Sequence, residues 1–381
     1  MNRVFLILPL LLIGCKKVQL PPGAAATGPP TDFNGVFEMF WHNMNTNYVF
    51  WDLDTTRWDA VYTHYQPLFA RLDLQRSDDV KSSLQYFRDM TQGLLDGHYS
   101  ISFSNSFIAG SVISPGYERL RKRPDFHPVF PYAATDVGYL DAGYKEGYDS
   151  TDYPSRLLHT LSGTIDHKIL YFTCNEFSLF RSSVSSVHST AQDVLRSFFS
   201  ALNDPALEGL IIDLRGNTGG DLSDLNFLVG HLIDQPLHFG YTRSRNGNGR
   251  LDYTPWVNAV VTPVQGAKKF QLPLIVLADL FSASLAEQTA MALHTLPGAK
   301  VIGETTRGAT GAITANDVYN AGQFTVPGFL SLYTSSAEFK YLDGHVYEGK
   351  GFPPDVMVPF DLAALTAGKD PALEKAISIM K

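Results

Sequence analysis

The stretch "PLIVLADLFSASLAEQTAMALHTL", Pro273 to Leu296, runs from strand to helix through two serines, Ser282 and Ser284. "PLIVLAD" is an apolar run of strand length, rich in branched residues, and reads as a strand buried on both faces. "LAEQTAMALHTL" is dense in strong helix formers. The serines at the junction admit two roles. A serine just before a helix is the default N-cap, because its oxygen accepts from an orphan backbone N–H. The same position exposes a side chain at a helix N-terminus, where free N–H groups and the helix dipole favour a developing oxyanion. Spacing alone leaves both open.

Outward from this unit the α/β pattern continues. Upstream lie strand "KILYFTC", helix "STAQDVLRSFFSALND", strand "GLIIDL" and helix "LSDLNFLVGHLI"; downstream lies strand "KVIGE". A hairpin is expected around "RNGNGR", and "PALEKAISIM" closes the chain as a helix. Further toward the N-terminus, Phe33, Val36, Phe37, Phe40, Trp41, Met44 and Tyr48 recur at helical spacing and mark an amphipathic helix. Two more helices are expected, over "WDAVYTHYQPLFARL" and from Ser77 to about Leu95, with Ser77 as N-cap. Residues 104–165 are rich in Pro, Gly, Tyr and Asp without sustained periodicity, and read as an irregular insertion.

At 381 residues, 44% hydrophobic and 18% charged, the chain can bury a large core and has the composition of a globular protein. A net charge of −8 argues against nucleic acid as a partner, since phosphate binding needs a clustered basic surface. The first fifteen residues, "MNRVFLILPLLLIGC", hold one arginine and an apolar run too short to span a bilayer, as in a signal peptide. Leu12-Ile13-Gly14-Cys15 resembles the bacterial lipobox, which implies lipidation of Cys15. Residues 15–31, rich in Pro, Gly and Ala, suit a tether. The other cysteine, Cys174, lies in an apolar run and reads as a core residue. No His/Cys cluster has metal-ligand spacing, and no metal or organic cofactor is expected.

"GLIIDLRGNTGG" (Gly209–Gly220) is a buried strand ending in paired glycines, a loop that lets backbone N–H groups approach a ligand. Together with "FSASLAE" and "GETTRGATG" in this order, it resembles the C-terminal-processing (tail-specific) serine peptidases. "FWHNMNTNYVFWD", "LLDGHYSISF" and "YEGKGFPPDVMVP" extend the resemblance over nearly all of residues 32–381. The implied fold is a crotonase-like α/β core of stacked ββα units with an N-terminal helical subdomain. The implied domains are a signal peptide (1–14), the lipidated tether (15–31), the helical subdomain (32–103), the insertion where relatives carry a PDZ domain (104–165) and the peptidase core (166–381).

The family pattern Ser-Ala-Ser-x-x-Glu assigns the nucleophile to Ser284, leaving Ser282 structural. Lysine-dependent members take their base from a Gly-Lys-Gly stretch; here Ala309 stands at that place, and Arg307 cannot act because a guanidinium is not deprotonated in proteins. The tricorn-like branch uses a histidine, which matches His98. That branch also places a serine just before the histidine, where this chain has Gly97. Glu348 matches the distal glutamate that would orient His98, with Asp96 as rival. The oxyanion donors implied are Leu285 N–H and that of Gly219 or Gly220, with Asp213 and Arg215 bracing the loop. Ser284 Oγ is then expected within hydrogen-bond reach of His98 across an inter-subdomain cleft. The function implied is a lipid-anchored endopeptidase of the bacterial cell envelope, acting on peptides or proteins. The alternative is a non-catalytic binder of apolar ligands or peptides on the same fold.

Overall fold

The computed structural model describes residues 28–150, 157–313 and 322–381. The expected signal peptide, Cys15 and most of the tether lie outside the described residues.

A seven-stranded sheet forms the centre, in the order Val356–Met357, Lys300–Gly303, Leu274–Ala278, Gly209–Asp213, Ile169–Cys174, Leu158–Ile165 and Lys145–Asp149. The first five run parallel and the last two pair antiparallel. Gly209–Asp213 and Leu274–Ala278 are buried at every position, which is why they read as unbroken apolar runs. Successive side chains point to opposite faces. Leu210, Ile212, Leu274 and Val276 therefore pack under helices Thr190–Ala201, Ser223–Val229 and Leu285–His294, while Ile211, Ile275 and Leu277 pack against Leu373 and Ala376 of the C-terminal helix Pro371–Met380. The expected hairpin is present as Leu237–Ser244 paired antiparallel with Val257–Val261, and Ala337–Tyr341 adds a third strand.

The three N-terminal helices are Phe33–Asn47, Trp58–Phe69 and Ser77–Thr91. Asp32 caps the first, accepting from Gly35 N at 2.8 Å. The cap position of the third is Arg76, not Ser77; Ser77 is the first helical residue, and Asp78 and Asp79 in the first turn complement the helix dipole instead. These helices cover a four-stranded antiparallel sheet ordered Gln323–Val326, Leu330–Tyr333, Ser100–Phe103 and Val112–Ile113. The helical unit is thus completed by chain from far downstream: Val326, Phe329, Leu330 and Leu332 share one core with Phe33, Phe37, Phe40 and Phe87.

Residues 104–165 correct the sequence reading. Rather than remaining irregular, this stretch supplies two strands of the central sheet, Lys145–Asp149 and Leu158–Ile165, besides the short helices Pro115–Leu120 and Tyr132–Asp136. The glycines inside its two strands look like loop punctuation but mark close approaches. A Cβ on Gly147 would lie 2.3 Å from Thr190 O, and one on Gly163 would lie 2.7 Å from Tyr144 Cβ.

Candidate active site

Ser284 occupies the turn between strand Leu274–Ala278 and helix Leu285–His294, with φ 59° and ψ −122°. A non-glycine residue in that region is strained, and such strain persists only where the surroundings over-determine it. Here Ser284 N–H is held by Ala309 O (3.0 Å) and Glu287 Oε2 (3.2 Å). The same buried Glu287 carboxylate accepts from Thr306 Oγ1 (2.5 Å), Gly308 N (2.8 Å) and Ala309 N (2.7 Å). Burial raises its pKa, and these donors oppose the rise. The two serines then separate cleanly. Ser282 is fully buried and structural, its hydroxyl donating to Leu214 O (2.8 Å) and accepting from Asp279 N (3.0 Å). Ser284 is half-buried at the N-cap of its helix, in a capping box with Glu287, and its hydroxyl donates to no described residue.

Two backbone donors near it are also free. Neither Leu285 N–H nor Gly220 N–H meets an acceptor among the described residues, whereas Gly219 N–H donates to Asn217 Oδ1 at 2.8 Å. Of the two expected glycines, Gly220 therefore keeps its donor available, and Gly219 serves by closeness. A Cβ on Gly219 would lie 2.6 Å from Ser284 Cβ. Asn217 was not found from sequence. It fixes this loop by donating to Cys174 O (2.9 Å), while its own carbonyl accepts from Ala283 N (3.0 Å). Arg215 braces the loop from behind through a buried cluster with Asp213, Asp136 and Asp370.

His98 reaches the site from the turn before strand Ser100–Phe103, its side chain 15% exposed. Gly97 packs directly on Ala309, the residue whose carbonyl holds Ser284 N–H. This brings the two functional segments together through one residue. Ser284 Oγ and His98 are not hydrogen-bonded, so the expected direct contact is not seen; such bonds commonly tighten only with substrate. His98 Nδ1 faces Ser335 Oγ at 3.4 Å and Asp96 Oδ1 at 3.9 Å. Ser335 Oγ in turn donates to Asp96 Oδ1 at 2.9 Å. Asp96 is fully buried and further accepts from Thr334 Oγ1, Ser335 N and His98 N (2.6, 2.6 and 2.8 Å). Ser335 was also missed from sequence.

Glu348 does not hydrogen-bond His98. Its oxygens accept from Gly97 N (2.6 Å), Thr310 N (2.7 Å), Gly311 N (2.8 Å) and Thr310 Oγ1 (3.1 Å), so it stitches the His98 turn to the loop after Ala309. Burial pushes its pKa up to about 8, with Asp96 adding to the rise. Burial lowers the pKa of His98; Asp96 opposes this and Arg307 reinforces it. Ala309, at the lysine position, is buried and offers only a methyl group. Two sets of potential metal ligands converge within 4.8 Å, Asp96–His98–Glu348 and His127–Asp279–Glu304. In the first, both carboxylates are already saturated by the donors above. In the second, His127 Nε2 contacts Glu304 Oε2 at 2.8 Å while Nδ1 donates to Pro128 O.

The sequence profile of peptidase family S41 matches residues 168–358, half of the chain. The chain belongs to peptidase family S41. The tricorn protease C1 domain profile matches residues 29–76 of this S41 protein. Among curated proteins, it is 26% identical over 193 residues to the carboxy-terminal processing protease CtpA of Bacillus subtilis, covering 51% of this chain and 38% of that one. It is 27% identical over 176 residues to the nisin-resistance protein of Lactococcus lactis, covering 44% and 52%. The chain thus spans about half or less of these curated relatives. In fold it is similar to a Parabacteroides merdae protein described as a candidate peptidase (TM-score 0.69, 22% identity, covering 92% of this chain and 97% of that one). It is also similar to mature CPAF solved with lactacystin (TM-score 0.59, 12% identity, 92% and 97%). The S41 chain therefore shares a mixed α/β architecture around a central sheet with these proteins.

Proposed function

We propose that this S41 protein is a serine endopeptidase on a crotonase-like core. Ser284 Oγ attacks the peptide carbonyl carbon, and His98 takes its proton. The tetrahedral oxyanion is received by Leu285 and Gly220 N–H, and His98 passes the proton to the leaving amine. Water then hydrolyses the acyl-enzyme with His98 as base. The observation that carries this reading is the Ser284 turn: a strained, half-buried serine at a helix N-terminus, its hydroxyl donating to no described residue, beside the unused Leu285 N–H.

The chain of contacts from Asp96 through Ser335 to His98 Nδ1 supports the tautomer required. Nδ1–H donates to Ser335 Oγ, which donates to Asp96, leaving Nε2 with the lone pair for Ser284. Asp96 and Ser335 are the orienting pair on this reading, and Glu348 is a brace. Labelling by a fluorophosphonate probe tests the assignment. Wild type should be modified at Ser284 and cleave peptide substrates, and Ser284→Ala should do neither. An unlabelled wild type that binds peptide without cleaving it would point to the binding-protein alternative.

We further infer lipidation at Cys15 and a cell-envelope location. Support comes from the lipobox-like Leu12–Cys15 and the composition of the segment after it. Among the described residues no helix is long and apolar enough to cross a membrane. Cys15→Ala should move the protein from the membrane fraction to the soluble one, and unchanged fractionation would reject the anchor.

A further inference from the structure

A cavity of about 250 Å³ opens beside the loop that holds Ser284 N–H. Helix Pro115–Leu120 contributes Gly116, Arg119 and Leu120; Arg123 follows; Thr305, Arg307 and Gly308 form the shared wall, with Gly97, Gly349 and Lys350 closing it. Four of these ten lining residues are cationic and none is acidic, in a chain where acids outnumber bases 38 to 30. A charge distribution so contrary to the whole requires a local reason.

The cations differ in how they are satisfied. Arg123 is paired with Asp125 at 2.6 Å and donates to Thr306 O at 2.8 Å. Among the described residues Arg119 has no carboxylate partner, and it is spent on two carbonyls, Leu94 O and Leu95 O, which fixes it in the wall. Lys350 is exposed and makes no ion pair among the described residues. Arg307 is the anomaly. Its Nε is buried without an acceptor, and its guanidinium makes no hydrogen bond to any described residue. The nearest acids behind it, Glu287 and Glu348, act on it only at a distance, their oxygens being occupied by backbone and hydroxyl donors. A guanidinium nitrogen buried without an acceptor is costly, and a ligand at the half-buried remainder of the group would offset that cost. The space far exceeds the roughly 10–15 Å³ that one water centre needs, so it can admit a side chain and not merely an ion.

The position relative to the nucleophile narrows the ligand. Arg307 N–H donates to Ser282 O (3.0 Å), and Gly97, in the cavity wall, immediately precedes His98. Arg307 lies near enough to His98 for its charge to act on the imidazole, so the cavity adjoins the ground that a peptide across Ser284 and His98 would occupy. We propose that the cavity is a specificity pocket for an acidic side chain of the peptide substrate, with Arg307 and Lys350 as its charge-bearing residues. The proposal rests on the peptidase reading for the direction in which the peptide runs, but binding and cleavage separate in its test.

The test uses full-length Ser284→Ala protein and fluorescent alanine-based peptides in which a single Glu, or its Gln twin, is moved through every position. Each peptide is made with a free and with an amidated C-terminus. At one position the Glu peptide should bind about tenfold or more tightly than its Gln twin, as a charge-assisted contact in a water-poor pocket predicts, and amidation should leave this ratio unchanged. Arg307→Gln and the exposed-site variant Lys350→Glu should each collapse the ratio, and Lys350→Glu keeps the test open should Arg307→Gln misfold. Equal binding of all Glu and Gln twins would overturn the proposal. So would a preference that survives both substitutions, or one that tracks the terminal carboxylate alone. If Ser284→Ala discriminates while wild type cleaves none of the peptides, the pocket stands and the peptidase reading falls.

Discussion

At His98 the competition is between desolvation and two neighbouring charges. Burial strips water from the imidazolium and lowers the pKa; Asp96 pulls it up, and the Arg307 guanidinium pushes it further down. A neutral imidazole is the competent base, so the sign follows directly. As pH falls, activity is lost only when His98 protonates, and a lowered pKa moves that loss to the acid side of the ordinary value of about 6.5. The pH profile of kcat/KM should show an acidic limb below that value, and a limb at or above it would refute the assigned environment. Ser335→Ala should leave folding intact and lower kcat by roughly ten- to a hundredfold, because an imidazole free to drift by about an ångström loses that much. His98→Ala should match Ser284→Ala in its loss, since the pair acts as a unit. Ser284, Leu285 and His98 could be named as candidates because each sits in a contiguous motif. Ser335 was not, lying 237 residues from His98 with no local pattern to mark it. Glu348 was placed by motif at the right turn, yet its oxygens are consumed by Gly97, Thr310 and Gly311, which no spacing in the sequence displays.

Between strand Gly209–Asp213 and the Ser284 turn, two loops are locked by contacts with little tolerance. Gly219 has φ 93° and no room for a Cβ beside Ser284. Gly219→Ala should therefore cost more than about 1 kcal/mol of stability and nearly all activity, measured by thermal melts beside peptide hydrolysis. Near-native turnover in that variant would show that the loop does not abut the nucleophile. Asp136, on the other side of the strand, makes a second element-level case. It shares buried Arg215 with Asp213 and Asp370, and burial, outweighing Arg215, raises its pKa well above the usual range. The folded state then keeps a proton that the unfolded chain releases, so wild-type stability is lost as pH rises above the ordinary aspartate range. Asp136→Asn has no proton to lose. Its melting temperature relative to wild type should climb from about pH 4 toward neutrality, and a pH-independent difference would reject a protonated Asp136. Most core elements were readable here because both-face burial writes itself as apolar runs. Strands Lys145–Asp149 and Leu158–Ile165 were hidden, since their glycines answer to neighbours distant in sequence.

On the scale of the whole molecule, the N-terminal helices share a core with chain from far downstream. Phe329, 2% exposed, belongs to the late part of the chain yet sits against Phe33, Phe87 and Phe103 at ring-centroid distances of 5.5, 6.0 and 6.1 Å. Strand Leu330–Tyr333 pairs with Ser100–Phe103, and the residues just after it, Thr334 and Ser335, hold Asp96. The proposed base is therefore positioned by a segment threaded from the core side, which ties the integrity of the helical unit to that of the His98 turn. Removing the Phe329 ring should cost about 3–5 kcal/mol, the range for a large buried aromatic replaced by alanine. Because both units share that packing, unfolding should remain a single transition at lower temperature, with loss of peptidase activity coinciding with loss of helical signal. Differential scanning calorimetry of Phe329→Ala decides this. Two separated transitions, one unmoved from wild type, would mean that the helical unit and the core are stabilised independently.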